Sequence, residues 1–178
     1  KEAVSSQDVI SEKPMQELKI TSSAFQHNAT MTARFTCDGE DIIPQLRVSE
    51  VPGETQSLAL IMHDPDAPHT GGWTHFVKWN IPWSKENGTL NTEQGALNIE
   101  EGKEPEGVSG KGTGGHLSYM GPCPLSGTHR YFFTVYALDT ELSLGEGATK
   151  TELESAMQGH ILGIGELGQV ARLRGKAG

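Results

Sequence analysis

Five side chains able to ionise or bind a metal fall within thirteen residues: His63, Asp64, Asp66, His69 and His75, with Pro65 and Pro68 between them. A second group, Gly121-Pro122-Cys123-Pro124 followed by His129-Arg130-Tyr131, lies more than fifty residues later. An aspartate beside an imidazole favours the imidazolium. Histidine, aspartate and tyrosine with glycine N–H groups suit a phosphate or carboxylate. The imidazolium and N–H groups would hold the anion, while the aspartates orient the histidines and accept from a cationic amine. A zwitterionic head group fits that set.

Other readings compete. Taken alone, Asp64-Pro65-Asp66-Ala67-Pro68 is equally well a rigid turn with aspartates in turn positions; the second cluster tips the balance toward a site. His63, Asp64, Asp66, His69 and His75 are ligand types for zinc or manganese, but their spacing matches no helical metal motif. No G-x-S-x-G occurs, and Ser118 between Gly115 and Gly121 lacks its spacing. The Gly107–Gly115 run is not a P-loop, because Pro105 stands where the first glycine belongs. No catalytic residue, metal or cofactor is indicated.

Twenty-two glycines and nine prolines in a chain only 35% apolar indicate many turns joining short strands, an all-β pattern. The 178 residues suit one domain, 17–178, behind a polar tail, 1–16. A net charge of −9 argues against nucleic acid and against an anionic bilayer surface. No apolar run is long enough for a transmembrane helix. Because the sequence begins at Lys1, a processed chain, exported or organellar, is slightly favoured over a cytoplasmic one.

Strands are read at Leu18–Ile20, Thr30–Thr36, Gln45–Ser49, Gln56–His63, Thr74–Ile81 and His129–Leu138. Strict alternation puts His75, Val77, Trp79 and Ile81 on one face, and His129, Tyr131, Phe133 and Val135 on another. Residues 84–115 look irregular. A helix is read over Thr151–Leu167 from a Thr151/Glu154 capping box and an apolar stripe that includes His160, Ile161, Ile164 and Leu167. His160 reads as a boundary histidine there. One more strand is read at Gln169–Leu173. Trp73, beside the first cluster, reads as a pocket wall.

With both clusters laid out, the chain resembles the phosphatidylethanolamine-binding protein family, also called Raf kinase inhibitor protein-like, in its prokaryotic-type branch. Asp64-Pro65-Asp66-Ala67-Pro68, Trp73-x-His75 and Asn80-Ile81-Pro82 match one signature; Gly121-Pro122-Cys123-Pro124 and Gly127-Thr128-His129-Arg130-Tyr131 match another. The resemblance covers about Leu18 to Arg172. It implies an antiparallel β-sandwich with a C-terminal helix and a few short flanking helices. It also implies a non-enzymatic pocket for phosphate, carboxylate or phospholipid head groups, lined by Asp64, Asp66, Pro68, Trp73, His75, Gly121, Pro122, His129 and Tyr131. Some members inhibit kinases or proteases, so a protein partner, a second copy or a larger assembly is the alternative; a hydrolase using the Asp/His set ranks last. The branch usually carries Ser-Pro-Pro-Leu and then a tryptophan where this chain has Ile43-Pro44-Gln45-Leu46-Arg47-Val48. Pro124-Leu125 replaces a Pro-Pro pair, and Val170 an expected tyrosine, so an altered pocket rim is expected.

Cys37 and Cys123 are too few for a zinc site or a disulfide scaffold, and both a bridge and two free thiols fit the sequence. A bridge would close a loop of about 86 residues and stabilise by roughly 4 kcal/mol in the chain-entropy picture. Thiol labelling under denaturing, non-reducing conditions decides: pairing leaves nothing to label, and two labelled thiols rule it out.

Overall fold

The computed structural model describes residues 14–83 and 95–172. Residues 1–13 of the N-terminal tail and any partner holding them therefore lie outside the described residues, while Gln16, read as the end of that tail, belongs to a strand. Ten strands and one α-helix follow in order: β1 (Gln16–Glu17), β2 (Lys19–Thr21), β3 (Ala29–Thr30), β4 (Leu46–Ser49), β5 (Ser57–Asp64), β6 (Trp73–Pro82), β7 (Leu97–Ile99), β8 (Val108–Ser109), β9 (Thr128–Leu138), α1 (Lys150–Met157) and β10 (Ile161–Arg172). β7 and β8 lie within the stretch read as irregular.

The large sheet runs β1-β10-β9-β5-β6-β8, with β3 also paired to β10; the small sheet runs β2-β4-β7. The chain is mostly β, but the large sheet is mixed rather than purely antiparallel. β1 and β3 each pair with β10 in parallel. Both are two-residue strands, and β3 is reached by a loop rather than by a hairpin, so its direction is not dictated by the turn before it.

One core lies between the sheets, where Leu46, Val48, Leu97 and Ile99 of the small sheet meet Leu58, Leu60, Met62, Phe76, Phe133 and Val135 of the large one. A second core lies on the far face of the large sheet. There Ala59, Ile61, Val77 and Trp79 pack under Leu142, Ala148 and the helix residues Leu153 and Met157. β5 is buried on both faces, as its unbroken apolar run requires. Among the described residues no helix is long and apolar enough to cross a membrane.

Two expectations fail for identifiable reasons. The helix read over Thr151–Leu167 is only Lys150–Met157, capped by Thr149 and Glu152 rather than Thr151 and Glu154. Gly159 at φ +80° ends it, and Ile161–Arg172 is the longest strand, not the rest of a C-terminal helix. Gly159, Gly163 and Gly165 would each cost that helix about 1 kcal/mol, whereas as a strand Ile161–Arg172 pairs with β9 along its whole length. His160 lies outside the helix and bonds Asp139 through Nδ1 at 2.8 Å. The strand read at Thr30–Thr36 stops at Thr30. A 3₁₀ turn, Ala33–Phe35, takes over, with the Thr36 N–H and hydroxyl both donating to the Ala33 carbonyl.

Strict alternation along β6 also fails, because the strand carries two β-bulges. Leu58 faces Ile81 and Leu60 faces Lys78, so Trp79 and Asn80 stand where β5 offers one residue. Met62 faces Phe76 and His63 faces Thr74, which makes His75 the extra residue of the second bulge. Ile81 and Phe76 therefore pack between the sheets while Val77 and Trp79 face the helix.

Asn80 holds the first bulge at φ +51°. Its Nδ2 donates to the Leu142 carbonyl at 2.9 Å and its Oδ1 accepts the Leu142 N–H at 2.8 Å. Asn80→Ala loses both bonds and puts an alanine in the left-handed region, so urea unfolding should report a loss of about 2–3 kcal/mol. A loss within about 0.5 kcal/mol of zero would show that the bulge does not depend on this side chain.

Candidate functional site

Where β5, β6 and β9 end at one edge of the inter-sheet core, a cavity of about 330 Å³ opens. Its floor is Asp64, His75, His129 and Tyr131; Ala67, Pro68, His69 and Trp73 form one wall, and Met120, Cys123, Pro124, Leu125 and Ser126 the other. Period two explains the floor. Leu58, Leu60 and Met62 face the core, so Asp64 does too, and Tyr131 lies on the face of Phe133 and Val135. His63 falls on the opposite face, where Nδ1 meets the Thr74 hydroxyl at 3.1 Å and burial lowers its pKa.

Asp64 is 2% exposed. Its Oδ2 accepts from His129 Nδ1 at 2.8 Å and its Oδ1 from the Asp66 N–H at 2.8 Å. Burial raises the pKa of the Tyr131 hydroxyl, and the neighbouring Asp64 charge and hydrogen bond raise it further. His75 stands against Tyr131, ring centroids 5.3 Å apart. It is 5% exposed, and its Nδ1 lies 2.8 Å from the Met120 carbonyl, to which it donates. Burial lowers the His75 pKa, against the Met120 hydrogen bond and the Asp64 charge, which raise it.

The second bulge is clamped from outside the strand. His116 Nε2 donates to the His75 carbonyl at 2.9 Å, and the Met120 N–H to the same oxygen at 3.3 Å. The Thr74 N–H donates to the Thr113 hydroxyl and the Thr113 N–H to the Thr74 carbonyl. His116 and Met120 escaped the sequence reading because one acts through backbone it does not adjoin and the other through its carbonyl. The only trace was the glycine cluster around them: a Cβ on Gly112 would stand 2.3 Å from His116 Nε2.

Three residues expected in the pocket do not line it. Asp66 faces outward and binds Arg130, with its two carboxylate oxygens accepting from Nε and Nη2, each at 2.9 Å, and from the Arg130 N–H at 2.8 Å. It thus orients Arg130 rather than a histidine. Gly121 and Pro122 tether the far wall. The Gly121 N–H donates to Asp41 Oδ1 at 2.7 Å, and a Cβ there would lie 2.2 Å from the Phe35 carbonyl. The Pro122 carbonyl accepts the Cys37 N–H, and Cys37 and Cys123 form a disulfide, with Cα atoms 5.4 Å apart. The altered Ile43–Val48 stretch is not on the rim, since Ile43, Leu46 and Val48 are core residues. Leu125 is at the cleft, 91% exposed. Among the described residues no group of three His, Cys, Asp or Glu side chains is placed to hold a metal ion.

The Arg130 guanidinium holds Asp66 down at about 2. A carboxyl depressed in the folded state stabilises above its unfolded pKa, near 4, and loses that contribution as pH falls through about 2. Melting temperature against pH should show Asp66→Asn less stable than wild type above about pH 5, with the gap closing toward pH 2. A gap independent of pH would assign the loss to something other than this ion pair.

A family model described as phosphatidylethanolamine-binding protein matches residues 21–170. A UPF0098 protein of Methanothermobacter thermautotrophicus is 46% identical over 151 residues, covering 84% of this chain and 95% of its own length. One from Pyrococcus abyssi is 42% identical over 154 residues, covering 85% and 84%. The crystal structure of a phosphatidylethanolamine-binding protein homolog from Chlamydia trachomatis superposes with a TM-score of 0.79 at 36% identity, over 89% of this chain and 99% of that one. YbcL of E. coli, described as a member of the mammalian family, gives 0.76 at 26% identity over the same shares. The chain belongs to the phosphatidylethanolamine-binding protein family.

Proposed function

We propose that the protein binds a small anionic or zwitterionic ligand, a phosphate or phospholipid-type head group, without transforming it. The reading rests on the buried Asp64–His129 pair at the base of a cleft with largely apolar walls. His129 carries the ligand contact, because Asp64 holds its Nδ1 at 2.8 Å and so leaves Nε2 for the ligand. Asp64 orients that ring through Nδ1, in the manner of an aspartate positioning a catalytic histidine. His75 and Tyr131 complete the polar floor, while Pro68 and Trp73 shape one wall. Asp66, Gly121 and Pro122 act by holding these elements in place. A head group fits the floor, and whatever carbon skeleton follows it meets apolar side chains from Ala67 to Leu125. A hydrolase reading gains nothing from the geometry, since no described hydroxyl or thiol is hydrogen-bonded to His129.

Isothermal titration with phosphoethanolamine and with acetate tests this. Wild type should bind at least one of them, and His129→Ala should weaken it by about tenfold to a hundredfold, the range for a hydrogen bond to a charged group. Equally weak heats from the two proteins would sink the reading.

A further inference from the structure

The far wall of the cleft is held in two different ways. Up to Pro122 its ties are hydrogen bonds: the Tyr119 hydroxyl to the Phe35 carbonyl at 2.9 Å, the Gly121 N–H to Asp41 Oδ1 at 2.7 Å, and the Cys37 N–H to the Pro122 carbonyl at 3.1 Å. Beyond Pro122, Cys123, Pro124, Leu125 and Ser126 line the cleft. None of them, nor Gly127, hydrogen-bonds to any described residue. The chain is next fixed at Thr128, which pairs with Arg172. Pro124 is buried by packing, whereas Leu125 and Ser126 are exposed. Among the described residues, the Cys37–Cys123 disulfide is therefore the one bond that ties this part of the lining to the rest of the fold.

Both cysteines are exposed, and a disulfide is reduced only where a thiolate can reach one of its sulfurs. A thiolate of a dithiol reductant attacks one sulfur, and the S–S bond breaks with its electron pair going to the other, which takes a proton. The reductant's second thiolate then displaces the first protein sulfur in the same way. Two electrons and two protons end on Cys37 and Cys123, and the reductant leaves as its own disulfide. In that dithiol form residues 123–127 are held only at Pro122, at Thr128 and by the packing of Pro124. A ligand must then order the segment as it binds, a cost that the bridge removes in advance.

We propose that the Cys37–Cys123 pair is a redox control on the cleft: the bridge presets the far wall for the ligand, and reduction by a thiol reductant lowers affinity. The control presupposes the anion-binding function proposed above. Coupling between two sites is reciprocal, so the ligand protects the bridge by the factor through which the bridge favours the ligand. A tenfold factor lowers the reduction midpoint by about 30 mV.

Calorimetry with phosphoethanolamine on the whole chain, oxidised and in dithiothreitol, reads the affinity, and amide hydrogen exchange reads the wall. Reduction should weaken binding about fivefold or more. It should also speed exchange at Leu125, Ser126 and Gly127 while β5 and β9 stay protected. In a dithiothreitol redox buffer, added phosphoethanolamine should make the bridge harder to reduce. Cys37 is not part of the cleft lining, so Cys37→Ser removes the bridge and leaves the contact surface unaltered. Kept in dithiothreitol, that variant should match the reduced wild type; a folded variant with the oxidised affinity overturns the control. Equal affinity in the oxidised and reduced wild type also overturns it and leaves anion binding standing. Exchange that does not change at residues 125–127 overturns the wall's part in it. Exchange that rises across β5 and β9 as well makes the bridge a staple of the whole fold and overturns a local control. No binding heat in either form overturns the anion-binding reading and the control together.

Discussion

A carboxylate buried at the end of the inter-sheet core is the constraint on which the site depends. Asp64 is almost fully withdrawn from water, and a buried charge is tolerated only with partners. Those partners come from different parts of the chain: the Asp66 amide from the following loop, His129 from β9, and the Tyr131 hydroxyl beside it. His129 and Tyr131 can reach Asp64 only if β5 and β9 keep the register that pairs Met62 with Phe133. A slip of one residue would turn Asp64 to the helix-covered face and leave His129 without its carboxylate. The polar floor and the apolar core thus enforce the same register, one through hydrogen bonds and the other through burial.

β6 contributes by departing from regularity. An unbulged strand would send His75 to the face of Val77 and Trp79, toward α1. The extra residue at the second bulge redirects it into the cleft, and the 113–120 segment holds it there with bonds to the Thr74 and His75 backbone. The same Met120 that accepts from the His75 ring donates to its carbonyl, where His116 is the second donor, so one neighbour ties the ring to its own backbone.

This division explains what was legible in the sequence. Side-chain chemistry in short, ordered motifs identified Asp64, His75, His129 and Tyr131, and β-rich apolar runs located β5 and β9 within a residue or so at each end. Bulges leave almost no mark, because period two is broken by backbone rather than by composition; Asn80 in the left-handed region was the one local sign. The segment after Met157 misled because Ile161, Ile164 and Leu167 happen to fit a helical period. There, pairing with β9 outweighs a periodicity that three glycines already weaken. Asp66, Gly121 and Pro122 were read into the cleft lining because motif membership does not separate a residue on the cleft surface from one that supports its neighbour.

The far wall of the cleft shows how such support bears on binding. Between residues 35 and 41 the chain makes four ties to residues 119–123: the Tyr119 hydroxyl to the Phe35 carbonyl, Gly121 to Asp41, Cys37 N–H to Pro122, and the disulfide. A wall anchored so densely loses little freedom when a ligand arrives, which removes one of the usual costs of association. The anchoring also has a consequence at the mouth. Leu125 lies just beyond the last tie, after Pro124, and stays 91% exposed at the cleft. An apolar side chain held in water at that position gains about 25 cal/mol per Å² covered, and a ligand's carbon skeleton leaving the polar floor would pass it. Polar chemistry is thus confined to the floor, at Asp64, His75, His129 and Tyr131, and the tethered wall carries apolar surface out to the mouth.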